Sequence, residues 1–177
     1  MTTEPSPARA VVSTDSARPC HATTMASAPF RPTFSAELVT DVARPVEVVF
    51  AYLAEFENLP AYEPVVESVQ RTSTGPVGVG STWTHVRRMG RRRLEAPIEL
   101  VEYDPPRALA IRSDSGPIQV WARQTFTAVG DGTRVTETLS MRVSGPARLV
   151  AALIRRQAGT QGREAHDGFK AALENAG

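Results

Sequence analysis

The chain has 177 residues, of which 41% are hydrophobic, and a formal net charge of +1. This length suits one well-filled domain, and the near-zero net charge gives no general attraction to nucleic acid or to anionic membranes. The single Cys20 excludes an intramolecular disulfide and a cysteine-based metal cluster. No apolar run approaches the roughly 20 residues that cross a bilayer. We therefore expect a cytoplasmic protein without a nucleic-acid partner and without integral membrane association.

The first 32 residues differ in composition from the rest of the chain. They combine Pro, Ser, Thr and Ala with almost no large apolar side chains, so they cannot bury enough surface to offset the entropy of ordering. They also lack the charged start and the continuous apolar stretch of a secretory signal. The sequence predicts a disordered tail over residues 1–32 and one domain over 33–177, with either Met1 or Met25 as the translational start.

A strand, two short helices and a second strand are predicted next. Residues 33–42 alternate as a strand does. Four apolar side chains then recur at the i, i+3, i+4 and i+7 spacing of a helix that lies on a core, namely Val46, Val49, Phe50 and Leu53. Residues 56–64 contain two prolines and predict only a short helical turn, and 65–71 predict the second strand.

Five successive antiparallel strands are predicted between residues 81 and 143. Their turns fall near Gly90, at 104–107, at 115–116 and at 130–132. Directly paired residues share a side of the sheet, so one face can be followed across all four turns. Apart from a few polar groups that face is apolar, and it includes Trp83, His85, Leu94, Ala96, Ile98, Leu100, Leu109, Ile111, Val120, Ala122, Gln124, Phe126, Val135, Glu137, Leu139 and Met141. The opposite face is rich in Arg, Glu and Thr, as a water-facing side is.

A long helix is predicted from Gly145 almost to the C-terminus. Leu149 and Leu153 are among the apolar residues near its start, and Phe169 and Leu173 are among those near its end. The stretch 157–164 between them is small and polar, which is typical of a kink, of a place where the helix leaves space beside the sheet, or of a solvated turn. A curved sheet with this helix across its concave face would enclose an elongated apolar cavity, the usual site for a small ligand.

Four segments resemble a known superfamily. They are VARPVEVVFAYLAEFENLPAYEPVVESV at 42–69, GPVGVGSTW at 75–83, ELVEYDPPRALAIRSDSGP at 99–117 and TFTAVGDGTRVTETL at 125–139. Over roughly residues 33–175 the chain resembles the START-like or SRPBCC superfamily, most closely its polyketide cyclase/dehydrase branch. The resemblance implies an α+β helix-grip fold, in which a curved antiparallel sheet of about seven strands wraps around a long C-terminal helix and two short helices follow the first strand. It implies a deep hydrophobic pocket but no single reaction, because members include carriers, receptors, hydrolases and cyclases.

Three polar residues on the apolar face are candidates for chemistry. Glu137, predicted to lie opposite Gln124, would have its pKa raised by an apolar cavity and could act as a general acid or base; the alternative is a structural carboxylate satisfied by Gln124 or water. His85 could exchange a proton near neutral pH or simply line the pocket. No second histidine stands at ligand spacing, so no metal site is predicted, and His166, among charged residues near the C-terminus, receives no role.

The leading hypothesis is binding of a small hydrophobic molecule, polyketide-like or aromatic, without a cofactor. The predicted ligand-binding residues share the inner face, the early helices or the start of the long helix, and are Tyr52, Phe56, Tyr62, Trp83, His85, Leu94, Ile98, Leu100, Ile111, Val120, Gln124, Leu139, Met141, Leu149 and Leu153. The alternative is a cofactor-independent polyketide cyclase, aromatase or dehydratase with His85 and Glu137 as acid–base residues.

Two surface features complete the expectations. Trp121 falls on the water-facing side of the sheet, which suggests a third possibility, a protein-interaction module; the chain would be a monomer or a homodimer. Five arginines, Arg87, Arg88, Arg91, Arg92 and Arg93, surround the turn at Gly90. They predict a solvated hairpin tip, although Arg87 continues the inner face and could meet an anionic ligand at the entrance.

Overall fold

The structure, a computed structural model, describes residues 28–175. Its strands are β1 Phe34–Val42, β2 Val66–Arg71, β3 Thr82–Met89, β4 Arg92–Asp104, β5 Ala108–Ser115, β6 Ile118–Val129 and β7 Gly132–Val143. Its α-helices are α1 Val46–Ala54, α2 Leu59–Tyr62 and α3 Ala151–Asn175, with 3-10 turns at Phe56–Asn58 and Gly145–Val150. Most of the predicted tail, together with Cys20 and Met25, lies outside the described residues.

All seven strands form one antiparallel sheet in the order β1-β7-β6-β5-β4-β3-β2. Each strand from β2 to β7 pairs with the next along the chain, and β1 closes the sheet against β7. The helix α3 returns to the concave face at β1, where the Thr40 hydroxyl meets the His166 ring. The expected helix-grip architecture is therefore confirmed, with two short helices after the first strand and one long helix at the end.

The predicted register of the strands is confirmed at the pairs that define the inner face. Trp83 pairs with Ile98, and Gln124 pairs with Glu137. One irregularity separates Leu100 from Glu102 in β4. This bulge keeps Glu102 on the outer face, where Arg123 binds its carboxylate at 2.7 and 2.8 Å. Without the extra residue, strict alternation would turn the Glu102 charge towards the core.

Aromatic side chains fill the core between the sheet and the helices. Phe50 on α1 meets Phe126 on β6 edge-to-face with ring centroids 5.1 Å apart. Tyr62 at the end of α2 meets Phe169 of α3 in the same way, at 5.9 Å. Edge-to-face contacts of this kind suit the charge distribution of aromatic rings, and they fix both short helices against the sheet and α3.

The helix α3 is continuous, and only its second half is fully anchored. Its buried residues are His166, Phe169 and Leu173. Leu149 in the preceding 3-10 turn is 90% exposed and Leu153 is 56% exposed. Both leucines therefore face solvent in this structure and not the core side where we expected them, and their contact with a ligand stays a prediction.

The prediction of an exposed Trp121 is also wrong. Its side chain is 4% exposed, although its position in β6 is on the outer face. Its cross-strand neighbours are Arg112 and Ser140, and long arginine stems cover apolar surface well. The interaction-module hypothesis thereby loses the observation that suggested it.

No helix within residues 28–175 has both the length and the apolar character needed to cross a membrane.

Candidate functional site

A cavity of about 180 Å³ lies between the concave face of the sheet, the short helices and α3. Most of its wall is apolar. The lining residues are Leu53, Phe56, Leu59, Tyr62, Glu63, Arg87, Leu109, Ile111, Val120, Ala122, Gln124, Glu137, Leu139, Met141, Ala158, Gln161, Gly162, Ala165, His166 and Phe169. Strands β5, β6 and β7 contribute the floor because their alternate side chains point inward, and α3 contributes the roof.

One polar cluster in this cavity runs from β1 across α3 to β7 and β6. The Thr40 hydroxyl is 2.7 Å from Nδ1 of His166. The other ring nitrogen, Nε2, is 3.6 Å from Oε2 of Glu137, and the same oxygen accepts a hydrogen bond of 2.7 Å from the Gln124 amide. The separation of 3.6 Å exceeds a hydrogen bond but allows an ionic attraction. His166 Nε2 is buried and has no hydrogen-bond partner among the described residues.

The surroundings of Glu137 favour its charged form. Burial alone would raise its pKa, but the imidazole of His166 and the amide of Gln124 hold the pKa below the usual value for a glutamate. We expected an apolar cavity to raise this pKa, and that expectation is wrong. It considered the apolar wall without the histidine that α3 brings to the carboxylate.

A second polar cluster stands at the end of α2. Glu63 and Arg87 form an ion pair, and Arg87 Nη2 also lies 3.5 Å from the Gln161 side chain of α3. Burial raises the pKa of Glu63, Arg87 opposes this, and the nearby charge of Glu137 adds to it. Burial also raises the pKa of Tyr62, with smaller contributions from the charges of Glu63 and Glu137. Tyr62 is therefore a neutral hydroxyl at physiological pH.

His85 occupies a different place from the one we predicted. It lies on the inner face of β3 and is 7% exposed, but it stands outside the wall of the cavity. Burial, and next the positive charge of Arg87, lower its pKa from 6.5 to about 4. The imidazole is neutral at pH 7, so the predicted proton shuttle between His85 and Glu137 is not assembled here.

The other predicted ligand-binding residues divide between the cavity wall, the packed core and the surface. Eight of the predicted site residues line the cavity, namely Phe56, Tyr62, Ile111, Val120, Gln124, Glu137, Leu139 and Met141. Trp83, Ile98 and Leu100 are each only 1% exposed and lie in the core, because Phe56 packs edge-on against Trp83 at 4.7 Å and fills that end of the concave face. Tyr52 lies behind Tyr62, with ring centroids 5.9 Å apart. Leu94, near the tip of the β3–β4 hairpin, is 43% exposed and does not line the cavity.

The sequence reasoning missed His166, and it misjudged Arg87. Arg87 is not simply solvated: its side chain is 33% exposed and carries an ion pair in the cavity wall, since its place on the inner face turns it inward. A usable signal for His166 existed in the helix. Ala158, Gly162, Ala165 and Phe169 follow one another at intervals of three or four residues, and His166 lies on the same stripe. Tracing this stripe back from Phe169 would have placed His166 on the sheet side.

No group of three or more histidine, cysteine, aspartate or glutamate side chains within residues 28–175 is arranged to hold a metal ion.

Comparisons with known proteins agree on the fold. The family model described as polyketide cyclase / dehydrase and lipid transport matches residues 33–174. A START superfamily protein from Mycobacterium smegmatis is similar in structure, with a TM-score of 0.70 and 13% identity over 81% of this chain and 99% of that one. A Thermus thermophilus protein has a TM-score of 0.69 and 20% identity over 80% and 98%. The Zhui aromatase/cyclase from Streptomyces sp. R1128 has a TM-score of 0.66 and 13% identity over 80% and 93%. No curated protein sequence matches the chain significantly.

Proposed function

Because the chain belongs to the polyketide cyclase / dehydrase and lipid transport family, we propose that it binds a small, largely apolar molecule in the cavity between the sheet and α3. The observation that carries this proposal is the cavity itself. Its wall is mostly apolar, and its few polar side chains converge in two clusters. Concave apolar sites with a few convergent polar groups are where small ligands bind.

The volume limits the size of the ligand. A cavity of about 180 Å³ is close to the roughly 150 Å³ engineered cavity that accepts benzene, so the space as it stands suits a single substituted ring. A longer polyketide-like ligand needs more room. The first turns of α3 are largely exposed, so moving them away from the sheet would break few buried contacts. Such a movement would enlarge the cavity.

A screen of small aromatic compounds by thermal shift and native mass spectrometry tests the proposal. A compound present at 100 times its Kd stabilises the folded state by about 2.7 kcal/mol, which raises Tm by roughly 5–10 °C for a domain of this size. Ala122 lies in the cavity floor between Ile111 and Leu139. We expect Ala122→Phe to fill the space and abolish the shift.

The matched control is Ala128→Phe, at an exposed position near the end of the same strand. It should bind as the wild type does. Failure of every small apolar compound to bind the wild type, or unchanged binding by a folded Ala122→Phe variant, would contradict the proposal.

A second candidate function is a cofactor-independent cyclase or dehydratase in the same cavity. It is favoured by the Glu137 carboxylate and the His166 imidazole, which meet at 3.6 Å beside an apolar space. Glu137 would take a proton from a carbon next to a ketone, and His166, when protonated at Nε2, would give one to the oxygen of the carbonyl that is attacked. Turnover of a reactive polyketide mimic that falls at least 100-fold in Glu137→Gln would support this candidate; unchanged turnover would leave binding alone.

A further inference from the structure

The polar cluster around His166 leaves one buried hydrogen-bonding atom unpaired. His166 is 4% exposed, and its Nε2 has no hydrogen-bond partner among the described residues. A buried polar atom without a partner is unfavourable, so such atoms in folded proteins usually have a hydrogen-bond partner. Here the atom belongs to a side chain that lines the cavity, and it lies 3.6 Å from Oε2 of Glu137, which is too far for a direct hydrogen bond.

The protonation of the cluster determines what that occupant must offer. Glu137 is ionised, because His166 and Gln124 outweigh the effect of burial on its pKa. An ionised carboxylate facing Nε2 favours the form of His166 with a proton on Nε2, and Nδ1 can then accept a hydrogen bond from the Thr40 hydroxyl at 2.7 Å. Nε2 is therefore a donor and Oε2 of Glu137 an acceptor. A group that serves both must accept one hydrogen bond and donate another.

A hydroxyl group meets this requirement, whereas an ether, a ketone or a hydrocarbon does not. With Nε2 and Oε2 separated by 3.6 Å, a hydroxyl oxygen beside them, on the cavity side, can lie about 2.8 Å from both. In this structure Nε2 of His166 is itself buried. Rotation about the terminal carboxylate torsion, which is soft in glutamate, lets Oε2 of Glu137 adjust to a hydroxyl beside it.

We propose that the cavity selects phenols and other ring-bearing alcohols, whose hydroxyl group bridges His166 Nε2 and Glu137 Oε2 while the ring lies against the apolar floor. This inference rests on the proposed binding function and names its ligand class. Gln124 is a positioning residue in this arrangement, since its amide holds the Glu137 oxygen at 2.7 Å. Arg87 and Glu63 already pair with each other, so neither needs a polar group from the ligand. The ring of the ligand therefore makes only apolar contacts.

Three probes of similar size separate the contribution of the hydroxyl group from that of the ring. They are p-cresol, 4-methylanisole and toluene. Their dissociation constants are measured by NMR titration of the full chain. A hydrogen bond to a charged group contributes roughly 1.5–3 kcal/mol, so p-cresol should bind at least about tenfold more tightly than 4-methylanisole or toluene. In Glu137→Gln and in His166→Phe this preference should shrink severalfold, while toluene binding stays within about twofold.

His85→Leu is the matched control, because His85 is the other buried histidine of the described chain and lies outside the cavity wall. It should keep the full preference for p-cresol. If His166→Phe does not fold, Glu137→Gln and the comparison of probes on the wild type still decide the question.

Equal affinity for p-cresol and toluene in the wild type would overturn the inference and leave the proposed binding function intact. Retention of the preference in a folded Glu137→Gln variant would also overturn it, since the hydroxyl would then be recognised elsewhere. If none of the three probes binds, the proposed function fails and the inference fails with it.

Discussion

His85 and His166 are both buried on the inner side of the fold, yet their surroundings give them different chemistry. Burial lowers the pKa of His85, and the positive charge of Arg87, two residues along β3, lowers it further. His166 instead faces the Glu137 carboxylate and the Thr40 hydroxyl. These different partners determine which hydrogen bonds each imidazole can make.

The pH dependence of stability should reveal the state of His85. Unfolded His85 takes up a proton near pH 6.5 and folded His85 only near pH 4, so between these values the unfolded state binds more protons. The free energy of unfolding of the wild type should therefore fall by up to about 3 kcal/mol as the pH drops from 7 to 4. In His85→Leu this part of the fall should disappear. Urea unfolding at several pH values measures it, and parallel curves for the two proteins would contradict the assignment.

At the level of elements, α3 approaches its neighbours through two glycines that tolerate different changes. A Cβ at Gly168 would lie 2.5 Å from the backbone oxygen of Tyr62, whereas a Cβ at Gly162 would lie 2.8 Å from Cδ1 of Leu38. The Tyr62 backbone is fixed in α2, but the end of the Leu38 side chain can turn. Close approach explains Gly162 and Gly168, and Ala158 and Gly162 also border the cavity beside the sheet.

Two alanine substitutions in the same helix test this difference. Both gain about 1 kcal/mol of helix propensity over glycine. For Gly168→Ala the backbone clash should outweigh the gain, and the free energy of unfolding should fall by about 2 kcal/mol. For Gly162→Ala it should stay within about 1 kcal/mol of the wild type. The midpoints of urea unfolding provide the measurement; equal effects of the two changes would exclude the clash as the cause.

The sequence predicted the strands and helices well where hydrophobic periodicity and turn residues act locally. Alternation and turn residues were enough to place Gln124 opposite Glu137, because a hairpin fixes register through its turn. The same reasoning missed the bulge between Leu100 and Glu102, because one extra residue does not visibly change the composition of a strand. It also missed His166, whose role depends on which face of α3 meets a strand more than 120 positions earlier in the chain.

On the scale of the whole molecule, α3 is anchored at one end only. Its second half carries the buried residues His166, Phe169 and Leu173, while Leu149 and Leu153 near its start are largely exposed. Segments with few buried apolar contacts open at lower free energy than the core. We therefore predict that a ligand enters the cavity past the start of α3.

Hydrogen exchange along α3 should show this asymmetry. Backbone amides of residues 155–158 should exchange at least tenfold faster than those of residues 166–173, because their opening exposes little apolar surface. Saturation with p-cresol should slow exchange around residues 158–166, because Ala158, Gly162 and His166 in this segment line the cavity. Uniform protection along the helix, with or without ligand, would show that α3 opens as one unit and that access lies elsewhere.

The sequence by itself determined the fold and the apolar inner face, because strand alternation, helical spacing and turn residues are local properties that the chain carries in its order. It also singled out Glu137 and Gln124 as polar groups on that face. Only the tertiary structure decided which inward residues fill the core, as Trp83 does, and which border a space, as Met141 does. It alone brought His166 to Glu137, since the pKa and the hydrogen-bonding needs of a buried group depend on partners that are distant in sequence.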